Sequence, residues 1–125
     1  MICLAILAVT ATSIYDGDTA RVPGNNARLT RFEDAPFDTP EIGGHAECPE
    51  ERALGLLVRD RLREMMPGAV CIIGRGNGGY GRDLAVMVGS DGRDVGAALI
   101  EEGLAVPGKT FDWCASLTGP NARSP

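Results

Sequence analysis

The sequence has little of what zinc enzymes and histidine-dependent enzymes require. It contains one histidine, His45, and four cysteines without a C-x-x-C pair. A zinc site is therefore not expected, and any Ser-His or Cys-His mechanism would have to use His45. This histidine lies in a Gly-rich stretch with no patterned nucleophile beside it. We therefore expect His45 to be an exposed loop residue.

Positive charge and long apolar runs are also scarce. The net charge is −5, which argues against binding along a nucleic-acid duplex through a basic face. A small phosphate site is still compatible with this charge, especially where a bound cation offsets carboxylates. The apolar residues 1–11 lack a positive flank and are too short to span a bilayer. We expect them to contribute to a first strand, and we expect no membrane partner; the sequence indicates no compartment.

The chain length and its turn residues predict one mainly β domain. With 125 residues, 17 Gly and 8 Pro, short strands joined by tight turns are favoured over a helical bundle. Strands are predicted over residues 6–15, 18–22, 27–32, 69–73 and 80–88, and helices over 49–65 and 95–102. Residues 33–45 are predicted to be a loop, 74–79 a hairpin loop and 107–125 an irregular tail.

This order of elements predicts the fold class. Five strands with a helix after the third are compatible with an α+β, mainly β, OB-type barrel on which two helices pack. The barrel would be a single domain over residues 1–125, with its core at about 6–106 and no C-terminal helix. The glycines at 74, 76 and 79 match G-x-G-x-x-G. A strand is predicted to follow them, whereas a dinucleotide site needs a helix there.

Two acidic clusters lie at predicted strand ends. The first is Asp16-Gly17-Asp18-Thr19 and the second is Asp38-Thr39-Pro40-Glu41. Asp-Gly turns are common in hairpins, so the first cluster alone has a structural explanation. In a closed meander the two clusters can approach each other, and carboxylates with a carbonyl are ligands that Ca²⁺ accepts. Together they predict a calcium site.

Two arginines lie within half-apolar predicted strands, Arg28 in the third and Arg82 in the fifth. A guanidinium is permanently charged and matches phosphate oxygens with paired hydrogen bonds. An arginine in such a strand usually faces solvent. Two arginines that converge on an acidic site would instead suit a phosphate.

The ordered motif set resembles the staphylococcal nuclease-like (thermonuclease) family. The resemblance runs from about residue 8 to 105 and rests on Asp16-Gly17-Asp18-Thr19, Arg28-Leu29, Asp38-Thr39-Pro40-Glu41, Tyr80-Gly81-Arg82-Asp83-Leu84-Ala85, Asp94-Val95-Gly96 and Gly103-Leu104-Ala105. It implies an OB barrel with packed helices. It also implies Ca²⁺-dependent hydrolysis of phosphodiester bonds in DNA and RNA, and we expect a monomer that acts on single strands.

The resemblance implies a role for each matching residue near the metal. Asp18, Asp38 and the Thr39 carbonyl would be the calcium ligands. Asp16 would be a nearby acidic residue that shapes the site and contributes to substrate binding.

It also implies the residues that act on the phosphate. Glu41 would position or deprotonate the attacking water. Arg28 and Arg82 would stabilise the pentacoordinate phosphorus. Tyr80 would contact a substrate phosphate.

One departure from the family concerns spacing. Arg28 stands ten residues before Asp38, whereas the family pattern has five, so residues 31–36 read as an insertion beside the metal site. Two alternatives follow from this. Asp34 could supply the acidic turn, which would leave Phe37 in the place of the base, or Arg31 could be the first arginine. We favour Arg28 with Asp38 and Glu41.

Three further points are left open by the sequence. An OB module that has lost catalysis and binds nucleic acid or a protein partner is the alternative function. Cys48 and Cys114 lie near predicted element ends, where a disulfide is geometrically possible. Phe111 and Trp113 stand roughly where base-stacking aromatics would be expected, although core packing explains them as well.

Overall fold

The computed structural model describes residues 5–8, 14–22, 25–65, 69–79, 82–89 and 92–118. Within these ranges the strands are β1 (Ala5–Ala8), β2 (Ile14–Asp16), β3 (Thr19–Val22), β4 (Asn25–Thr30), β5 (Phe37–Asp38), β6 (Ala69–Gly79), β7 (Arg82–Val88) and β8 (Val106–Pro107). The helices are α1 (Pro49–Glu64), α2 (Val95–Glu101) and α3 (Trp113–Thr118), with short 3₁₀ turns at Phe32–Asp34 and Gly43–His45.

The strands form a mixed six-stranded sheet and a separate two-stranded ladder. The order in the larger sheet is β1-β6-β7-β4-β3-β2, and β5 pairs with β8. Only the β4–β7 pairing is parallel among the described ladders. The α+β class is confirmed. The described residues do not show a closed five-stranded barrel.

The helices predicted over 49–65 and 95–102 are confirmed by α1 and α2. α1 begins at Pro49, which fits the first helical position because its missing N–H has no intrahelical partner there. The Asp94 Oδ1 atom accepts a hydrogen bond from the Ala97 N–H at 2.7 Å and so caps α2. β3 and β7 fall within predicted ranges, and β4 and β6 overlap the predicted strands at 27–32 and 69–73. The first predicted strand, 6–15, overlaps both β1 and β2, and residues 9–13 between them are outside the described residues.

Three predictions of irregular structure were wrong. Residues 74–79 are not a hairpin loop, because they continue β6 and pair with β7 across two register shifts. Residues 33–45 contain β5, whose partner β8 comes from the other end of the chain. The tail includes β8 and α3, so the prediction of only two helices was also wrong. α3 is capped by Asp112, whose Oδ1 accepts a hydrogen bond from the Ala115 N–H at 3.0 Å.

One apolar cluster joins the helices to the sheet. Leu54, Val58 and Leu62 lie on the buried side of α1 at helical spacing. They belong to the same core as sheet residues such as Ile14 and Leu29, and as Trp113 of α3. The core therefore joins α1 and α3 to the sheet, and α1 packs beside β2, which ends at the first acidic cluster.

No helix in the described part of the chain is long and apolar enough to cross a membrane.

Candidate metal and phosphate site

The first acidic cluster forms a tight turn that is pressed against the second. The Asp16 Oδ1 atom accepts a hydrogen bond from the Asp18 N–H at 3.1 Å, which closes the turn. Gly17 leaves no room for a side chain, because a Cβ there would lie 2.6 Å from Thr39 Oγ1 and 2.7 Å from a Val58 methyl group. The close packing at Gly17 therefore brings the turn against Thr39.

Arg28 in β4 connects the two clusters. Its Nη1 atom lies 3.1 Å from Asp18 Oδ2, and its Nη2 atom lies 3.9 Å from Asp38 Oδ1. Nη2 also donates a hydrogen bond to the Phe37 carbonyl at 2.8 Å. The backbone supports this placement, since the Leu29 N–H donates to the Asp18 carbonyl at 2.7 Å. One guanidinium thus contacts both predicted carboxylate ligands.

The segment read as an insertion closes on itself. The Arg31 N–H donates to the Ala35 carbonyl at 2.9 Å, and the Thr30 hydroxyl donates to the same carbonyl at 3.0 Å. Glu33 and Asp34 adopt positive φ angles of 64° and 57°, which allow the tight reversal. The chain therefore returns to the end of β4 before β5 begins, and Asp38 of the second acidic cluster remains within 3.9 Å of Arg28.

The two alternative assignments are not supported by these contacts. The Arg31 Nη2 atom donates to the Pro36 carbonyl at 3.0 Å and so serves the turn itself. Asp34 is exposed in the 3₁₀ turn. Arg28, in contrast, reaches Asp18 and Asp38 directly.

The backbone of Glu41 is held by α1. Its N–H donates to Glu51 Oε2 at 2.9 Å, while Glu51 Oε1 accepts from the Glu47 N–H at 2.9 Å. One turn further along α1, a Cβ at Gly55 would lie 2.5 Å from the Glu41 carbonyl oxygen. Glu51 is 5% exposed and therefore belongs to the buried side of α1. This side of the helix holds the Glu41 backbone in place.

Asp38 is held by α3. The Trp113 Nε1–H donates to Asp38 Oδ2 at 2.9 Å, across 75 positions of sequence. The next residue, Cys114, forms a disulfide with Cys48 at the N-terminus of α1, with the two Cα atoms 6.0 Å apart. The disulfide that the sequence allowed is thus present, and it ties α3 beside the site.

The four carboxyl groups of the site all have raised pKa values. Burial, followed by the charge of Asp16, raises the pKa of Asp18 to about 7, although Arg28 opposes the shift. Burial also raises the pKa of Asp38 to about 6, against the opposing hydrogen bond from Trp113. Burial is again the largest cause of the raised pKa values of Asp16 and Glu41, and the charges of Asp18 and Asp38 add to that of Glu41. Burial and mutual repulsion thus disfavour the ionised forms of these carboxyl groups, and the charge of Arg28 does not cancel the shift at Asp18, Asp38 or Glu41.

The oxygen atoms of Asp18, Asp38 and Thr39 are of the kind that binds a hard divalent cation. Asp18 Oδ2 is buried without a hydrogen bond, because its contact with Arg28 lacks hydrogen-bond geometry, and Thr39 Oγ1 is also buried without a partner in the described structure. Ca²⁺ takes oxygen ligands from carboxylates, carbonyls and water. Across the described ranges, no group of three or more His, Cys, Asp or Glu side chains is arranged to hold a metal ion. The predicted ligands are two carboxylates and one backbone carbonyl, so they contain fewer than three such side chains.

The structure describes only the backbone of Arg82 and does not describe Tyr80. Tyr80 lies outside the described residues. Arg82 begins β7, where its backbone pairs with Gly79, but its side chain is outside the description. In the neighbouring ladder Leu84 pairs with Arg28, so the backbone of Arg82 is two residues from the position opposite Arg28.

Three residues that matter to the site were not predicted as such. Glu51 lies in the first turn of α1, where a negative charge is favoured for local reasons alone. The sequence predicts Trp113 only as a core or stacking aromatic. Gly55 lies on the buried face of α1, between Leu54 and Val58. Glycine is unfavourable inside a helix, so a glycine at such a position can indicate that another part of the backbone packs closely against the helix. No local sequence pattern indicates that Glu51 contacts Glu41 or that Trp113 contacts Asp38.

Comparison with known proteins adds no family assignment. No protein-family model matches the chain, and no curated protein matches its sequence. The thermonuclease-like resemblance therefore remains a prediction that rests on the motif set.

Proposed function

We propose that this protein is a Ca²⁺-dependent nuclease that hydrolyses phosphodiester bonds of single-stranded DNA or RNA without strong sequence specificity. One observation carries the proposal: Asp18 and Asp38 converge on the Arg28 guanidinium, beside Glu41, whose pKa is raised by burial and by the charges of these two acids. A structural ion pair needs one carboxylate for one guanidinium. A surplus of buried acids beside an arginine is the arrangement expected where a cation and a phosphate are bound together.

We propose an OB-type barrel as the finer architecture, and chain connectivity supports it. β1 and β2 lie at opposite edges of the six-stranded order, yet only residues 9–13 separate them in sequence. In a flat sheet the five spacings between these edges would amount to about 24 Å. The chain from Ala8 to Ile14 can span at most about 21 Å. A curled sheet would bring these edges closer together, as in a small barrel, and the short connection therefore supports the proposal.

Each residue of the site has a chemical task in this proposal. Asp18, Asp38 and the Thr39 carbonyl would hold the metal, which when bound would polarise a phosphoryl oxygen. Glu41 would accept the proton of the attacking water, and its raised pKa brings it closer to the range useful for a general base. Arg28 and Arg82 would stabilise the negative charge that develops on the phosphate.

The contacts of Arg28 favour one alternative function, that of a binding module without catalysis. Its guanidinium already contacts Asp18 and the Phe37 carbonyl, and its side chain is 17% exposed. An arginine that is held in this way and only neutralises the acids is expected in an OB module that binds nucleic acid or a protein partner without cleaving it. A guanidinium has five N–H donors, so Arg28 retains donors for a phosphate in the nuclease.

A cleavage assay tests the proposal. Purified protein is incubated with single-stranded DNA or RNA, in Ca²⁺ or in chelator, beside Glu41→Gln and Arg82→Ala. We expect Ca²⁺-dependent cleavage by the wild type. Loss of the base should lower the rate by about 10²-fold or more, and loss of the arginine should lower it by a comparable factor.

Matched controls come from the same chain. Glu47→Gln changes an exposed acid six residues from Glu41, and Arg59→Ala changes an arginine on α1 that pairs with the exposed Asp60. Both controls should cleave at the wild-type rate. Ca²⁺-independent cleavage, or equal rates in wild type and both site variants, would contradict the nuclease. Substrate binding without cleavage would identify the binding module.

A further inference from the structure

The C-terminal helix α3 is attached to the site through two different contacts. The Cys48–Cys114 disulfide joins it to the first turn of α1. The preceding residue, Trp113, is 6% exposed and belongs to the main core. Its ring also packs edge-on against Phe111, with ring centroids 4.8 Å apart and planes at 71°. The core and the disulfide therefore set the position of the indole.

The indole makes the two oxygens of Asp38 unequal. Oδ2 accepts the Trp113 Nε1–H at 2.9 Å, whereas Oδ1 lies 3.9 Å from Arg28 Nη2 on the side of the acidic cluster. An indole N–H can only donate, and leaving it unpaired in the interior would be costly. The hydrogen bond at Oδ2 thus fixes the orientation of the Asp38 carboxylate, and it leaves Oδ1 facing Arg28.

We propose that Trp113 is a positioning residue for Asp38 and that its indole N–H raises the affinity of the site for Ca²⁺. This inference rests on the proposed function, because it assigns Asp38 as a ligand. Donors behind a ligating carboxylate orient it, and their loss commonly lowers metal affinity by about 10- to 100-fold. The C-terminal helix is therefore part of the metal site.

The test compares two aromatic substitutions in the full chain. Trp113→Phe keeps an aromatic ring and removes the N–H. Phe111→Leu removes the edge-on ring contact from a residue that is 42% exposed and leaves the indole hydrogen bond in place. The dissociation constant for Ca²⁺ is measured by calorimetry, and thermal unfolding is followed in chelator.

We expect Trp113→Phe to weaken Ca²⁺ binding by about tenfold or more and Phe111→Leu to leave it unchanged. A merely structural role for Trp113 would lower the unfolding temperature in chelator without changing the Ca²⁺ dissociation constant, and that result would overturn the inference. The chain has one tryptophan, so its indole N–H gives a single nuclear magnetic resonance signal. In the wild type that signal should shift on addition of Ca²⁺, and the shift should disappear in Asp38→Asn.

The outcomes separate this inference from the proposed function. Wild-type protein that binds Ca²⁺ with an affinity equal to that of Trp113→Phe would overturn the positioning role alone. Weaker binding by the variant, in a protein that does not cleave nucleic acid, would overturn the nuclease alone. Wild-type protein that does not bind Ca²⁺ would overturn both.

Discussion

The side chain of Glu51 accepts a hydrogen bond from the backbone N–H of Glu41 at 2.9 Å, and this contact ties the proposed base to the first turns of α1. The other oxygen of Glu51 accepts from the Glu47 N–H. Both ends of the connection between β5 and α1 are therefore fixed to one buried carboxylate. The position of Glu41 is consequently determined by α1 as well as by the strand that precedes it.

Glu51→Gln tests this attachment. An amide offers one acceptor oxygen where the carboxylate offers two, so one of the two N–H donors loses its partner. We expect unfolding free energy to fall by about 1–3 kcal/mol. The rate of Ca²⁺-dependent cleavage should fall more than substrate affinity does, since displacements of about 1 Å are costly in catalysis.

Chemical denaturation and steady-state kinetics provide the measurements. Glu50→Gln is the matched control, because Glu50 is adjacent and exposed. Equal stability and equal kcat in Glu51→Gln and Glu50→Gln would show that the contact is dispensable.

Gly55→Ala tests the close packing of α1 on Glu41. Alanine would favour the helix by about 1 kcal/mol, but its Cβ would meet the Glu41 carbonyl at 2.5 Å. Because backbone cannot yield as a flexible side chain does, we expect a net loss of about 1–3 kcal/mol in unfolding free energy. Gly44→Ala is the control, since nothing lies within 4 Å of a Cβ there. A more stable Gly55→Ala protein would contradict the packing described.

Arg28→Met tests the central guanidinium. Removing one partner of a largely buried ion pair costs about 3 kcal/mol or more, and we expect that loss of unfolding free energy in chelator. Saturating Ca²⁺ should reduce the loss, because a bound cation would replace part of the missing charge. Denaturation with and without Ca²⁺ measures the difference, with Arg59→Met as the control on α1. An identical loss in both conditions would argue against a cation site beside Arg28.

The pH dependence of stability in chelator follows from Asp18. Its pKa in the folded protein is about 7, against an ordinary value of 3.8. Between these values the folded protein binds the proton more tightly than the unfolded chain does, so stability must fall as pH rises through that window. The raised pKa of Asp38, about 6, acts in the same direction.

Asp18→Asn removes the largest part of this effect. We expect the variant to be more stable than the wild type in chelator near pH 7, and its stability to depend less on pH between about 4 and 7. It should also lose the stabilisation that Ca²⁺ confers on the wild type. Thermal unfolding across this pH range is the measurement. Parallel pH profiles in the two proteins would contradict the raised pKa.

The double substitution Cys48→Ser with Cys114→Ser tests the disulfide. The bridge closes a separation of 66 residues, and the chain-entropy model predicts a loss of about 4 kcal/mol. Cys48 Sγ accepts from the Glu51 N–H at the start of α1, and serine can provide that cap. The loss is therefore attributable to the missing bridge. Cys48→Ser alone should show a similar loss, and a double variant as stable as the wild type would contradict the prediction.

The elements that were predictable from sequence are those with strong local signals. α1 combines Pro49 at its first position with a regular apolar face, and α2 combines the Asp94 cap with a short apolar face. The alternation and turn residues around β3 and β4 placed those strands within a few residues of their bounds. Local signals suffice for these elements because their hydrogen bonds are made within the helix or across a tight turn.

The elements that were missed depend on distant partners. β5 has only two residues, and it exists because β8 pairs with it from the far end of the chain. The glycine-rich half of β6 would not favour a strand by itself, but its backbone pairs with β7. α3 is six residues long and relies on its disulfide and on the burial of Trp113. No local pattern reports such pairings.

The same division applies to the candidate site. The sequence by itself determined the acids, the arginine and their order along the chain, and these suffice to predict the chemistry because carboxylates and guanidinium groups have fixed preferences for cations and phosphates. Only the tertiary structure decided that Arg28 rather than Arg31 contacts Asp38, and that Glu51 and Trp113 hold Glu41 and Asp38. The physical reason is that these contacts join α1, α3 and β4 to the second acidic cluster, and packing alone sets the distances between them.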